Sequence, residues 1–411
     1  MALKLLIVTE RFYPEEFIIN DLASAWVERG FDVEVLTQAP SYPFGKIFQG
    51  YKNHLYSEEL WKTIRIRRFF TVTGYRDSLF FKLLNYVSFV LAGGLIALFI
   101  AKRYDRIFVY QTGPLTLAVP AVLGGIMYGK PVTIWTQDVW PDTVYAYGFR
   151  KTRLLSWFLD RFVGFIYKNC ARIFVSCEGF VGKLAPYAPG KTISHFPNWP
   201  TVTPALCPQG GQSAGLKLSD KFNFTFAGNI GKVQNLENVM RGFGRASSRN
   251  NDIQLNIVGD GSHLETLKEI ARKENIRNVV FWGRKKQHEM PAFFSASDVM
   301  VISLNDEPVF NITVPAKFQA YLAFSKPILA VMNGEVRALV ERHGTGLCAD
   351  PGDLNVIGAR FLEFYSLRGG GLEKFAANSR TLLETVYDRK KILDGMTALL
   401  AGTGSGTRGA E

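Results

Sequence analysis

Cysteine is scarce in this chain. Its four thiols (Cys170, Cys177, Cys207 and Cys348) form no CxxC pair and no metal-ligand spacing, which excludes a disulfide-stapled scaffold and a zinc ribbon. They read as buried free thiols in a reducing compartment. Histidine is nearly as rare, five in 411 residues, and none sits in an HExxH or beside a nucleophile in triad-like company. His288 and His343 read as ordinary surface residues. No DxD and no GxxxxGK[ST] occurs. The opening residues MALKLLIVTE enter a strand pattern at once, without the apolar core and cleavage site of a signal peptide, so the expectation is a cytoplasmic location.

Acidic residues are outnumbered, 36 against 48 Lys and Arg, and the net charge of +12 calls for an anionic partner. No RNP-like, zinc-finger or helix-turn-helix signature is present, which argues against nucleic acid. The basic, aromatic run KTIRIRRFFTVTGYR (62–76) instead precedes LLNYVSFVLAGGLIALFIA (83–101), nineteen residues without a charge. That length suffices to cross a bilayer. Spanning would, however, put the strands LKLLIVTE and RIFVYQT on opposite sides of the membrane. The expectation is a helix lying on an anionic membrane surface, with Arg65, Arg67, Arg68, Arg76 and Phe89 in contact with lipid.

The rest of the chain alternates short apolar runs with helical patterns: LKLLIVTE, DVEVLTQ, RIFVYQT, PVTIWTQD, ARIFVSCE, then KFNFTFAG, IQLNIVGDG, NVVFWGR and VMVISL. Near-continuous apolar strands separated by helices mean parallel sheets covered on both faces. The reading is α/β, with two doubly wound Rossmann-like domains facing each other across a cleft: residues 1–197, a Pro-, Gly- and Ser-rich linker over 198–220, and residues 221–385. A C-terminal helix over 386–400 and a disordered tail over 401–411 complete it.

In the second domain FAGNIGKVQNL places a small-residue turn (Gly228, Asn229, Gly231) between a strand and a helix, where glycines let backbone amides approach an anion. IVGDG repeats the device with Gly259 and Asp260; Gly283 and Arg284 follow another strand, and Pro315 and Lys317 open a helix in VPAK. Singly, Lys232, Arg284 and Lys317 are ordinary surface cations. Three at consecutive carboxyl edges of one sheet predict a diphosphate site.

Together GNIG…QxL, IVGDG, WG, VPxK…YLAxxKPIL and GE, with TERFYPEEF, TQDVWPDTVYAYG and FPNW earlier, resemble the family 4 glycosyltransferases of the GT-B fold. The resemblance is nearest to the O-antigen and capsule branch that transfers amino-deoxy sugars such as N-acetylfucosamine. It implies a retaining, metal-independent and cofactor-free transfer from a nucleotide-sugar donor, UDP-linked, to a polyprenyl-diphosphate-linked glycan at the cytoplasmic face of the bacterial inner membrane. Lys232, Arg284 and Lys317 would then hold the leaving diphosphate with the amides of Gly228 to Gly231. Asp138 would orient a hydroxyl or else cap a helix, Glu10, Arg11 and Gln137 would meet the acceptor, and Glu335 the donor ribose or sugar. The sequence departs from the wider family where Ile312 and Ala320 replace the E-x7-E glutamates, Asn229 and Gln234 the usual Arg and Lys, and Gln137 the His of a His-Asp pair. Two alternatives stay open: a nucleotide-sugar 2-epimerase and a non-catalytic nucleotide-sugar-binding subunit.

Overall fold

Two sheets, each wound from short buried strands, follow one another along the chain. The structure is a computed structural model describing residues 2–75, 78–146, 148–206 and 216–402. Arg76 and the predicted tail beyond residue 402 lie outside the described residues.

The first unit runs to Pro197 and takes back the segment from Lys390. Its elements are β1 (Lys4–Thr9), α1 (Ile18–Glu28), β2 (Asp32–Gln38), β3 (Tyr56–Trp61), β4 (Ile64–Phe69), α2 (Leu79–Ile100), β5 (Arg106–Gln111), α3 (Val119–Tyr128), β6 (Val132–Thr136), α4 (Asp142–Ala146), α5 (Arg153–Asn169), β7 (Arg172–Val175), α6 (Gly179–Leu184) and β8 (Ile193–His195). The sheet order is β3-β4-β2-β1-β5-β6-β7-β8, parallel except for the hairpin partner β3. Leu5 to Val8, Ile107 to Val109 and Ile173 to Val175 are all fully buried, as strands covered on both faces must be.

The second unit, Asn198 to Arg389, contains β9 (Phe222–Ala227), α7 (Leu236–Ser247), β10 (Ile253–Val258), α8 (Leu264–Lys273), β11 (Val279–Gly283), α9 (Met290–Ala296), β12 (Val299–Ser303), α10 (Pro308–Asn311), α11 (Ala316–Ala323), β13 (Ile328–Val331), α12 (Glu335–His343), β14 (Gly346–Ala349), α13 (Leu354–Ser366) and α14 (Glu373–Val386). Its sheet is wholly parallel, in the order β11-β10-β9-β12-β13-β14. The order reverses between β9 and β12, which makes the carboxyl ends of those strands the switch point where such sheets take ligands. The last helix, α15 (Arg389–Ala401), packs on the first unit: the Trp26 indole donates to Thr397 Oγ1 at 3.2 Å and Arg29 pairs with Asp394 at 2.8 Å.

The apolar stretch is part of α2, begun by Ser78, whose hydroxyl accepts from the Phe81 amide. By length and composition α2 could cross a bilayer. Here it connects β4 to β5, two strands of the same eight-stranded sheet, and packs against β2 and α3.

Three of the predicted lipid contacts, two in the basic run and one on α2, are corrected by the structure. Arg67 is buried on β4: its Nε donates to Glu34 Oε2 at 2.8 Å, and Nη1 bonds Tyr56 and Glu58. Arg68 is buried too, held by Glu59, the Tyr13 carbonyl and the Gln38 carbonyl. Phe89 faces inward, edge-on to Phe69 at 4.9 Å. An ion-paired arginine inside a sheet cannot also reach a head group. Of the described arginines predicted to meet lipid, Arg65 keeps about half its side chain exposed, near Glu58.

Candidate functional site

In the second unit the carboxyl edge is built around two glycine turns that interlock. Gly228 follows β9 with φ +137° and Gly259 follows β10 with φ +145°, a region open only to residues without a side chain. A Cβ on Gly259 would sit 1.9 Å from the Gly228 carbonyl oxygen, and one on Gly261 would sit 2.2 Å from that of Ile230. Backbone bonds finish the stack: Gly228 N–H to Val258 O, Ile230 N–H to Asp260 O, Gly259 N–H to Gly283 O, each 2.9 Å. The amides of Gly228 and Ile230 are therefore engaged within the fold, which corrects their assignment to phosphate. Gly231, at φ −104°, makes no such conformational demand.

Lys317 stands at the switch point. Its Nζ would lie 3.3 Å from a Cβ on Gly228, donates to Gln234 Oε1 at 2.6 Å and rests 3.9 Å from the centre of the Phe226 ring. Among the described residues no carboxylate is bonded to it. The residue keeps an opening to solvent while protein encloses the amine, and this burial pulls its pKa down to about 7. The placement is rigid. Tyr321, one turn further along α11, accepts from the Ala227 amide at 3.1 Å and so pins the helix to the end of β9. Ser303 Oγ donates to the Gln234 carbonyl at 2.6 Å and fixes the turn from the β12 side.

The other predicted residues lie on the turns and helix starts that follow the strands of the same sheet. Lys232 is exposed at the start of the short turn that carries Gln234, and Arg284 is exposed just beyond β11. Asn229 is exposed, and the Asp260 carboxylate folds back onto the Gly261 amide at 2.8 Å. Pro315 occupies the cap position of α11. Gly334, φ +77°, would drive a Cβ to 1.9 Å from the Asn311 carbonyl oxygen; that close approach sets Glu335 at the start of α12. Sequence reasoning missed Phe226 and Tyr321, although the spacing of four between Lys317 and Tyr321 puts both on one helix face.

In the first unit Asp138 ends the loop after β6. Its Oδ1 lies 2.6 Å from the Thr143 hydroxyl, which also lies 2.7 Å from the Val139 carbonyl. Burial raises the Asp138 pKa to about 6, opposed by the Thr143 bond and by the charge of Lys82. The preceding strand end is held by the Gln111 amide, which donates to the carbonyls of Gly113 and Asp138, and by the Gln137 amide N–H, which donates to the Gln111 carbonyl at 2.9 Å.

Glu10 and Arg11 are brought together, but inward. Arg11 pairs with Glu10 at 2.7 Å and Glu15 at 3.6 Å and lies against the rings of Tyr42 and Tyr75. Glu15 in turn accepts from the amides of Ser41 and Tyr42, and burial raises its pKa against the pull of Arg11. A buried arginine already balanced by two carboxylates has no charge left for an acceptor phosphate. Its work is to hold the 41–42 and Tyr75 loops to β1, and the predicted phosphate contact of Glu10 and Arg11 is corrected accordingly.

Comparison with known proteins gives the same division of the chain. The Glycosyl transferase 4-like domain matches residues 16–199 and the Glycosyl transferases group 1 domain residues 212–381. The "Probable glycosyltransferase WbjE" of Pseudomonas aeruginosa is 24% identical over 260 residues, 62% of this chain and 64% of that protein. The "Putative colanic acid biosynthesis glycosyl transferase WcaI" of Escherichia coli K12 is 22% identical over 95% of this chain and 98% of its own length. Among solved structures, HepE from Anabaena in complex with UDP and glucose superposes with a TM-score of 0.69 at 13% identity, covering 98% of this chain and all of that one.

Proposed function

From the premise that the chain is a glycosyltransferase, a 4-like domain followed by a group 1 domain of the GT-B fold, we propose that it transfers a sugar with retention from a nucleotide diphosphate donor. The acceptor is a polyprenyl-diphosphate-linked glycan of a bacterial surface polysaccharide. The observation that carries this reading is Lys317, an amine without a bonded carboxylate, set at the switch point of the second sheet. A buried amine that is not ion-paired is a place prepared for a ligand's negative charge. The UDP held by HepE and the colanic acid biosynthesis in the name of WcaI support the choice of donor class and pathway.

When the sugar–phosphate bond breaks, negative charge builds on the leaving diphosphate. Lys317 stabilises it from inside, and Lys232 and Arg284 approach from the rim; a cation already fixed in place costs no reorganisation at that moment. The transferred group is read as an N-acetylamino-deoxy sugar, the donor base as uracil, and the charge on the leaving group is met by these side chains without a metal. In the first unit Asp138, ionised above about pH 6, orients the accepting hydroxyl.

The test is transfer of label from UDP-N-acetylhexosamines into the lipid phase of membranes containing polyprenyl-diphosphate sugars, with the anomeric configuration of the product read by NMR. Label in lipid with the donor's configuration supports the reading. Soluble conversion of the UDP-sugar without lipid would replace it by an epimerase, and binding without turnover by a non-catalytic subunit.

A further inference from the structure

The two units handle the outer faces of their helices differently. Among the described residues, fourteen of the twenty-two exposed large apolar side chains lie on three helices of the first unit, while the second unit contributes only Leu206. In the second unit, outward helix positions carry charge, as in the Arg241 bridges to Glu237 and Glu274 and the Lys268–Glu265 and Lys273–Glu269 pairs. The first unit's apolar surface is therefore not a general habit of this chain.

The three helices are neighbours. α2 packs on α3, and α3 packs on α5, along one face of the first sheet. On α2 the inward row is Asn85, Phe89, Gly93 and Ala97, mostly small, so that a Cβ on Gly93 would already press on Phe69 at 2.8 Å. The outward row, also at spacing four, is Leu79, Leu83, Val87, Leu91, Leu95 and Phe99, all more than 45% exposed. On α5 the outward stripe is Leu154, Trp157, Phe158 and Phe165, and Arg161 lies 5.1 Å from the Trp157 ring. The C-terminal end of α3 adds Ile126 and Met127. An apolar surface this continuous is larger than a water-facing helix layer carries without a partner.

Charge identifies the partner. Residues 78–103, 119–130 and 150–169, the three helices with their flanks, contain nine Lys and Arg and a single acidic residue, Asp160, whose carboxylate accepts from the Tyr187 hydroxyl at 2.6 Å. Apolar side chains ringed by an excess of cations, with a Trp beside an Arg, match the acyl boundary and phosphates of an anionic bilayer. A second copy of the same face would bring nine cations against nine.

We propose that the outer surface of α2, α3 and α5 docks flat on an anionic lipid bilayer, with α5 rather than the strand β4 supplying the cationic and aromatic contacts. This refines the membrane setting proposed above and is independent of donor and acceptor identity. Vesicles of phosphatidylcholine with and without 30% phosphatidylglycerol, mixed with the full chain and sedimented, provide the test. Wild type should pellet with the anionic vesicles at least tenfold more than with the neutral ones, and lose most of that at high salt. L91D/L95D and, separately, W157S/F158S should each weaken pelleting about tenfold or more, while UDP still raises the melting temperature as in wild type. That last readout separates a lost docking surface from a lost fold or a lost donor site.

Equal recovery with both vesicle types, or unchanged binding of both double variants, would overturn the proposal. So would a dimer in light scattering that L91D/L95D splits while vesicles go unbound. Resistance to alkaline carbonate extraction would show an inserted helix instead of a docked face.

Discussion

Replacing Lys317 by methionine should stabilise the free protein and weaken its donor complex. Burial shifts the amine from its ordinary 10.5 to about 7. At about 1.4 kcal/mol per unit, holding the charged form in place costs up to roughly 5 kcal/mol. The sign follows from the direction. Between pH 7 and 10.5 the unfolded chain binds a proton that the native site has released, so stability rises with pH across that window and the full cost is present below it. Methionine keeps an apolar stem over Phe226 and removes the amine; leaving Gln234 Oε1 without its donor returns about 1 kcal/mol, and losing the cation–π contact with Phe226 about 1–2 more. With about 2–3 kcal/mol net, the second unit should melt roughly 5–10 °C higher at pH 6.5, a difference that shrinks towards pH 10. The donor side moves the other way. Binding a diphosphate requires the protonated amine, so affinity for a UDP-N-acetylhexosamine should fall about tenfold per pH unit above 7 and flatten below it. Lys317→Met should remove that slope and lower kcat by roughly 10²–10³, and Lys317→Arg should bind without the slope. Scanning fluorimetry across pH and calorimetry in buffers of different ionisation heat measure both arms. A methionine variant less stable than wild type at pH 6.5, or a donor affinity flat from pH 7 to 9, would refute the reasoning.

Asp138→Asn should abolish the rise in transfer rate through about pH 6 and leave donor affinity unchanged; Thr143→Val, which removes a bond favouring the carboxylate, should move that rise to higher pH. Gly259→Ala forces a Cβ to 1.9 Å from the Gly228 carbonyl at a positive φ, and should cost the second unit at least about 2 kcal/mol in denaturant melts, whereas Gly231→Ala should melt like wild type. Arg67→Ala leaves Glu34 without its bonded cation and Glu58 with only the looser Arg65, and should destabilise by on the order of 3 kcal/mol; Arg65→Ala, on an exposed side chain, should change stability by less than about 0.5 kcal/mol.

Most of the sheet order was legible because a buried parallel strand cannot hide: FNFTFA, IQLNIV and VMVIS carry no charge and are fully buried, and turn glycines follow the first two. The cations at the carboxyl edge were legible for the same reason. What Lys317 became was not. Its amine is buried by Phe226 and met by Gln234, 83 residues earlier in the chain, and no local pattern reports a desolvation built across that distance. The arginines of β4 misled in a related way. IRIRRF looks like a solvent-facing charged strand until its register sets Glu34, Glu58 and Glu59 within bonding reach of Arg67 and Arg68.

The apolar helix posed a subtler ambiguity, since a segment apolar on every side gives no moment by which to choose an inward face. Side-chain size makes the choice that hydrophobicity cannot. Asn85, Gly93 and Ala97 let α2 approach Phe69 and Pro120 closely, while the leucines and Phe99 would not fit there and point outward. In a helix covered only by protein, burial would favour the opposite arrangement, because each leucine withdrawn from water contributes about 2 kcal/mol and glycine nothing. A helix that spends its small residues on packing and its large ones on the outside follows the rule of helices whose outer solvent is lipid. That row of small residues at 93 and 97 was present in the sequence, and it is a better guide to the role of α2 than the length of the run.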